Sequence, residues 1–303
     1  MTIMAGMGPG TGTGIGPLLR GWRERRRLSQ LRLALLADSS ARHISFVENG
    51  RSRPSQDLVL RLAEHLDVPV RERNALLLAA GYAPLYPEKR LDDPSMAALR
   101  SGVERLLAAH DPYPALVVDG SFRVLAANRA LGLLLAGVAP HLLEPPLNAM
   151  RITLHPEGLA PRIVNLRQWR RHLLERMERQ LGLVRSAPLR ALLEEVRAYP
   201  EPPGVAEEAE EDLTELFPFA LPLRIAHEGR VLSFLSTIAT FNTPMDVTVS
   251  ELALEAFLPA DTETAAFLLG TAPPQEGRRT IRPPGAAPPP PARPAAAAAR
   301  PRA

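Results

Sequence analysis

The chain has 303 residues, 46% of them hydrophobic and 23% charged, and contains no cysteine. That length allows two folded domains, and the composition supplies a core for each. Without cysteine there is no disulfide framework, thiolate nucleophile or cysteine-ligated zinc. No run approaches the roughly 18 apolar residues that span a bilayer. The opening MTIMAGMGPGTGTG has neither the basic nor the apolar region of a secretory signal. The expected setting is therefore cytoplasmic, with no membrane partner. The net charge of +3 hides an asymmetry. Residues 18–53 carry nine Arg against three acids, a net of +6, and residues 271–303 carry six Arg against one acid, a net of +5. The remainder is therefore at about −8. A basic N-terminal module on an acidic body is the footprint of a polyanion binder.

Gly fills every even position from Gly6 to Gly16, so residues 1–16 read as a flexible arm. Residues 17–83 are short helical periods. Pro17 opens the first, with Leu18, Leu19 and Trp22 at helical spacing. Ser29 opens a second with Leu33 and Leu36 inward, and Ser40 a third with Ile44 and Val47 inward. A fourth follows Pro54 with Leu58, Leu62 and Leu66. A fifth covers about 71–80 and ends at Gly81. Five short helices around one core predict a compact all-α domain. Pro84, Pro87 and Pro94 then mark a linker over 84–95.

Residues 96–270 mix periods. A helix is expected over 96–109. In ALVVDGSFRVLAAN, Val117, Phe122 and Val124 alternate around Asp119-Gly120, a hairpin signal, and Asn128 is placed to cap the next helix. Ile163, Leu166, Trp169, Leu173, Met177 and Leu181 form the stripe of a long amphipathic helix. Another helix covers about 188–198, and residues 201–212 read as a solvated acidic loop. Strands are expected over about 221–227, 231–240 and 249–257, and Asp261 caps a final helix. Five antiparallel strands, with helices between the second and third, make an α+β domain. The Pro/Ala/Arg-rich tail 271–303 is expected to be disordered.

The most informative segment is Leu28-Ser29-Gln30, Ala34, then Ser40-x-x-x-Ile44-Ser45-x-x-Glu48-x-Gly50 and Pro54. Ser29 and Ser40 cap two successive helices. Ala34 lets them cross closely, and Asp38 in the turn tolerates a left-handed backbone. Ile44 and Val47 anchor the second helix, so Ala41, Arg42, Ser45 and Phe46 face outward with His43 to one side. Glu48 is expected to pair with a neighbouring Arg. Over residues 18–66 this resembles the helix-turn-helix of Xre-family transcriptional regulators, whose five-helix fold is lambda-repressor-like. The resemblance implies that the helix from Ser40 to Asn49 enters the major groove of a double-stranded operator. Gln30 and Asn49 would then touch the backbone, Ala41, Arg42, Ser45 and Phe46 base edges, and Arg51 and Arg53 phosphates. The chemistry fits independently. Arg bonds bidentately to guanine, and Phe and Ala touch a thymine methyl.

The second domain resembles that of MmyB-like regulators, in which an Xre-type helix-turn-helix precedes a PAS-like ligand-binding domain. The pieces that carry the resemblance are Asp111-Pro112-Tyr113-Pro114-Ala115, Asn128, and Ser236-Thr237-Ile238 through Thr243-Pro244 to Pro259-Ala260-Asp261. It implies a small-molecule sensor with fatty-acid-like ligands, and the protein is expected to act as a homodimer. From the residues alone, Leu232, Phe234 and Ile238 share one face of their strand and Val231, Leu235, Ala239 and Phe241 the other, so both sides are expected to be covered. In 249–257, Leu252, Leu254 and Ala256 are expected inward, with Glu251, Ala253 and Glu255 outward. Val118, Leu125, Trp169, Leu173, Phe234, Ile238 and Leu254 are the candidate walls of an apolar chamber, which could equally be a filled core. Arg162, Arg167, Arg170 and Arg171 are candidates to meet a ligand carboxylate at its mouth. The seven histidines show no metal-ligand spacing, and no nucleophile-elbow context surrounds any serine, so neither a metal, a cofactor nor an enzyme is expected. The expected function is a one-component transcriptional regulator. The alternative is a helix-turn-helix protein-interaction repressor or antitoxin whose second domain binds a protein.

Overall fold

The computed structural model describes residues 14–184, 186–202 and 219–270. The expectations for the arm up to residue 13, for the acidic stretch from 203 and for the tail from 271 lie outside the described residues. The N-terminal domain consists of α1 (Ile15–Arg25), α2 (Gln30–Leu36), α3 (Ala41–Glu48), α4 (Gln56–His65) and α5 (Val70–Ala79). Two of the caps are the serines that the sequence indicates, Ser29 and Ser40, and Ser55 is a third that the structure adds. Ser29 Oγ accepts from the Arg32 amide, Ser40 Oγ from the His43 amide at 3.1 Å, and Ser55 Oγ from the Leu58 amide. Leu19, Trp22, Leu33, Ala34, Ile44, Val47, Leu62 and Leu66 form its buried core. Asp38 takes a φ of 48° in the turn between α2 and α3, and Gly50 a φ of 69° at the exit of α3. The sequence placed residues up to 16 outside the helical domain, and the structure corrects the last two. Ile15 and Gly16 already belong to α1 and are buried, because α1 crosses the end of α3 there. A Cβ on Gly16 would collide with the carbonyl oxygens of Val47 and Glu48.

The second domain opens with α6 (Ala97–Ala109) and contains β1 (Ala115–Val118), β2 (Val124–Ala127), α7 (Gly132–Leu135), α8 (Ala149–Leu154), α9 (Leu166–Leu183), α10 (Ala187–Arg197), β3 (Leu223–His227), β4 (Arg230–Thr240) and β5 (Ala253–Pro259). A short helix Val247–Glu251 precedes β5, and Thr262–Leu269 closes the fold. The strands form one antiparallel sheet in the order β2-β1-β5-β4-β3. One face, with Leu116, Val118, Phe234 and Phe257, packs on α9 and the helical turns between β2 and α9. The other, with Ala115, Val117 and Ala256, packs on Val103 and Leu107 of α6.

Four local expectations are corrected. The β1–β2 connection is a five-residue loop rather than a two-residue Asp-Gly turn. The Asp119 carboxylate accepts the amides of Ser121 and Arg123, and Phe122 adopts a φ of 61°. Asn128 caps no helix. Its Oδ1 accepts from the Ala115 amide, and its Nδ2 donates to the Tyr113 carbonyl, fastening the start of β1. Residues 247–251 are helical rather than strand, because Asp246 caps them through the Thr248 and Val249 amides. The strand then begins at Ala253, and Glu255 is buried on the α9 face instead of pointing outward. Lastly, β4 is covered on both sides only over residues 232–234. Its far half, from Thr237, is exposed on both.

Candidate functional site

The first candidate surface is the outer side of α3. Ile44 and Val47 are fully buried and fix the rotation of the helix. Arg42 is exposed, while Ala41, His43, Ser45 and Phe46 are half-buried. Arg42 lies over the Phe46 ring, 5.3 Å from its centroid, so the two residues one turn apart form a single raised ridge. Arg51 is exposed just beyond the helix.

Below that ridge sits a buried carboxylate. The Glu48 side chain has no exposed surface. Its Oε1 accepts from Arg23 Nε at 2.6 Å, and its Oε2 from Arg23 Nη2 at 2.9 Å, Gln30 Nε2 at 2.9 Å and Arg20 Nε at 3.4 Å. Burial pushes the carboxyl pKa up. The hydrogen bonds and the charge of Arg23 outweigh this and hold it below the usual carboxylate range. One side chain thus joins α1, α2 and α3 and sets the angle between the two helices of the motif. The expected pairing of Glu48 with Arg is present.

Other residues expected to touch the DNA backbone have additional work. The Gln30 amide is turned inward to Glu48, and Asn49 Oδ1 accepts from Arg20 at 2.7 Å. Arg53, expected along a phosphate, donates to the carbonyls of Ala80 and Gly81 at 2.8 Å each and stacks on Tyr82. Its guanidinium caps the C-terminus of α5, where free carbonyls and the helix dipole favour a cation.

The linker is a fastened joint. Arg71 on α5 forms paired hydrogen bonds with Glu88 in the linker and with Glu251 before β5, four contacts of 2.6–3.0 Å. Both carboxylates push its already high pKa further up. The Val247 amide donates to the Pro87 carbonyl at 2.8 Å, and the Lys89 amide to Asp246. The linker joins the domains through residues 246–251.

The second candidate site is an apolar chamber of about 70 Å³ between the sheet and α9. Of the residues expected in its wall, Trp169 and Leu173 line it. Val118 and Phe234 belong to the same buried cluster but do not reach the space. Leu125 and Leu254 lie on the opposite sheet face, toward α6, and Ile238 is 49% exposed. The remaining wall comes from residues that no periodicity marked: Leu131, Leu134, Leu147, Met150, Ile152 and Leu159 on the turns before α9, with Leu116, Glu255 and Phe257 from the sheet. The turns are pinned by Arg151 on α8, which makes two 2.7 Å bonds to Glu195 on α10. The Tyr199 hydroxyl donates to the same Glu195 at 2.6 Å, and burial beside that carboxylate pushes the phenol up to about 12.

None of the four arginines proposed for a mouth lines the chamber. Arg162 donates to the carbonyls of Leu134, Ala136 and Ala226, and Arg170 to those of Val196, Arg197 and Tyr199. Arg167 pairs with Glu201. Arg167, Arg170 and Arg171 border a separate surface depression on the outer side of α9. Among the described residues one group has metal-ligating types together: His141, His155 and Glu157, with ligand atoms within 4.8 Å of one another. Sequence spacing gave no sign of it, because His141 comes from a separate turn. His155 Nδ1 already accepts the Glu157 amide at 3.1 Å, which leaves the ring proton on Nε2 and neither nitrogen free to ligate.

Residues 99–269 match the family model of the MmyB-like transcription regulator ligand binding domain, and residues 19–73 a helix-turn-helix family. Among solved structures, the crystal structure of the clp gene regulator ClgR from Corynebacterium glutamicum is 24% identical, with 34% of this chain and 97% of that chain covered and a TM-score of 0.21. No curated protein matches.

Proposed function

The chain belongs to the MmyB-like transcription regulators, with a helix-turn-helix ahead of the ligand binding domain, and on that premise we propose that α3 reads an operator while the chamber senses a small apolar molecule. DNA binding for transcriptional control is the function of this architecture, and it calls for no catalytic step. No helix among the described residues is long and apolar enough to cross a membrane. Access to an operator places the protein in the cytoplasm on this reading. The observation that carries the DNA reading is the Arg42–Phe46 ridge on a helix whose inner side is locked by Ile44, Val47 and Glu48. Arg42, Phe46, Ala41 and Ser45 meet base edges, with His43 beside them. Ser40 and Asn49 at the ends of α3, Gln30 and Arg51 lie toward the sugar-phosphate backbone. A homodimer on a pseudo-palindromic site would set two such helices about one turn, ~34 Å, apart.

Replacing Arg42 with Ala tests the assignment. Operator affinity should fall by about 1–3 kcal/mol, with preference relaxed at one base pair per half-site in a binding selection. An unchanged selected sequence would move the reading face off α3.

The ligand is an apolar molecule of the fatty-acyl class, supported by walls of Leu, Ile, Met, Phe and Trp. Its effect on DNA binding requires different affinities for two states of the protein. The route to α5 runs along β5, from Glu255 at the chamber to Glu251 and on to Arg71. Arg71→Ala should raise amide exchange at Lys89 and Val247 several-fold and weaken any ligand effect on operator affinity, while leaving both domains folded. Unchanged exchange there would show that the joint does not depend on Arg71. A second reading, a protein partner for the C-terminal domain, draws on the exposed far half of β4 with Ile238, Phe241 and Met245 beside it. A stable complex with such a partner, lost when Ile238 becomes Asp, would favour it.

A further inference from the structure

We propose that the far half of β4 is the seam of the homodimer, where the same strand of a second copy adds antiparallel about a two-fold axis at Ile238. This rests on the reading of the protein as a homodimer and names the surface that makes it. β3 pairs with β4 only as far as Leu223 opposite Phe234, while β5 accompanies β4 to Thr240. The chain ahead of β3 cannot extend that ladder. Pro222 has no amide to offer, and its carbonyl accepts from Asn165 Nδ2 at 2.9 Å. Among the described residues, none pairs with the β3 side of residues 235–240. The two outer edges of the sheet are closed by the chain itself. The Val124 amide of β2 donates to the Leu147 carbonyl, and the Arg224 carbonyl of β3 accepts from the Val164 amide, each at 2.9 Å.

Exposed strand edges are normally guarded by a charge, a proline or a bulge. This one has no such guard. Residues 235–243, LSTIATFNT, hold no charged residue and no Pro or Gly, and their Thr, Ile and Phe suit a strand. Ile238 is 49% exposed, and Phe241 and Met245 just past the strand are exposed as well. A charged partner finds no ionic complement there, whereas an identical strand matches it in every respect. The alternation of the ladder fixes which backbone groups are free. The Ser233 carbonyl accepts from the Ala260 amide beside β5, so the odd-numbered residues of β4 bond toward β5. Ser236, Ile238 and Thr240 therefore turn their amides and carbonyls to the open edge. Pairing about Ile238 sets that residue opposite its own copy and Ser236 opposite Thr240, so each of these groups gains a partner. The second copy's β3 then falls in line with β4 beyond Thr240, where the strand has ended and the chain bends away at 242–243. The contact is isologous, the symmetry that a pseudo-palindromic operator asks of its reader.

The test combines sedimentation velocity of the full-length protein with disulfide trapping, which is clean because the chain has no cysteine of its own. Ile238→Cys should oxidise to a covalent dimer, since Cα atoms about 5.5 Å apart across such a pair lie within disulfide range. Val231→Cys, exposed at the other end of the same strand, should stay uncoupled. Ile238→Asp sets two carboxylates against each other on the axis and should raise the dimer dissociation constant about a hundredfold or more. The trapping result decides the matter even if the Asp variant does not fold. A wild-type dimer that Ile238→Cys fails to trap and Ile238→Asp fails to weaken would overturn the seam and leave the homodimer standing. A wild-type chain that is monomeric both alone and on its operator, or that takes another protein's strand at this edge instead of its own, would overturn the homodimer reading, and the seam with it.

Discussion

Replacing Glu48 with Ala is expected to cost the helical domain about 3–5 kcal/mol, the range for removing one partner of a buried ion pair. The cause is the group left behind more than the bond lost. Arg23 is 12% exposed and would face a cavity where its carboxylate had been, and the Gln30 amide would lose its acceptor. Domains of this size have about 5–15 kcal/mol of stability, so a large share would go. The pH dependence has a definite sign. Because the Glu48 carboxyl is held below the usual carboxylate range, its contribution is present above the unfolded-state value and disappears as pH falls through the lower folded-state value. The gap between wild type and Glu48→Ala should therefore narrow in acid. The two tryptophans, Trp22 and Trp169, report one domain each. Urea unfolding read from Trp22 in a Trp169→Phe background gives the number directly. A loss below 1 kcal/mol would mean that Glu48 does not fasten α1, α2 and α3.

Trp169→Ala should have an effect of similar size in the other domain. Trp169 is 3% exposed, forms part of the chamber wall and packs against the His172 ring with centroids 5.4 Å apart. Truncating a buried Trp costs about 3–5 kcal/mol through lost transfer energy and the cavity that remains. Here the new space joins the existing chamber, so collapse around it is hindered and the upper half of the range is expected. Unfolding read from Trp22 should stay near the wild-type midpoint while far-ultraviolet dichroism shows the ligand-binding domain melting earlier. If both domains shifted together, they would form one cooperative unit joined through Arg71. If neither moved, Trp169 would not be a packed wall residue.

The helical domain was legible because its signals are local. Ser29 and Ser40 sit where caps must sit, and the apolar spacing of Ile44 and Val47 alone fixes the outward face of α3. The roles of the arginines were not legible. Arg51 and Arg53 are two residues apart and chemically identical, yet only a fold that brings Ala80 and Gly81 alongside assigns Arg53 to helix capping. Arg61, Arg73, Arg100, Arg162 and Arg170 bind carbonyls in the same way. The sheet failed for another reason. Both of its faces are apolar, so alternation separates Leu254 from Glu255 without saying which face holds the chamber. The Asp246-capped helix and the irregular register at Val117/Val118 then shift the frame by which position is counted. The leucines of the turns before α9 have no period to read, since α7 and α8 are only four and six residues long.

The most direct test of α3 as a DNA-reading helix is the affinity of the full-length protein for a selected operator and for a random duplex, measured over a range of salt concentrations. The account predicts that both affinities fall as salt rises, because Arg contacts release counterions. At physiological salt the operator should be preferred by about 10³ or more. Equal affinity for the two duplexes, or binding indifferent to salt, would contradict it.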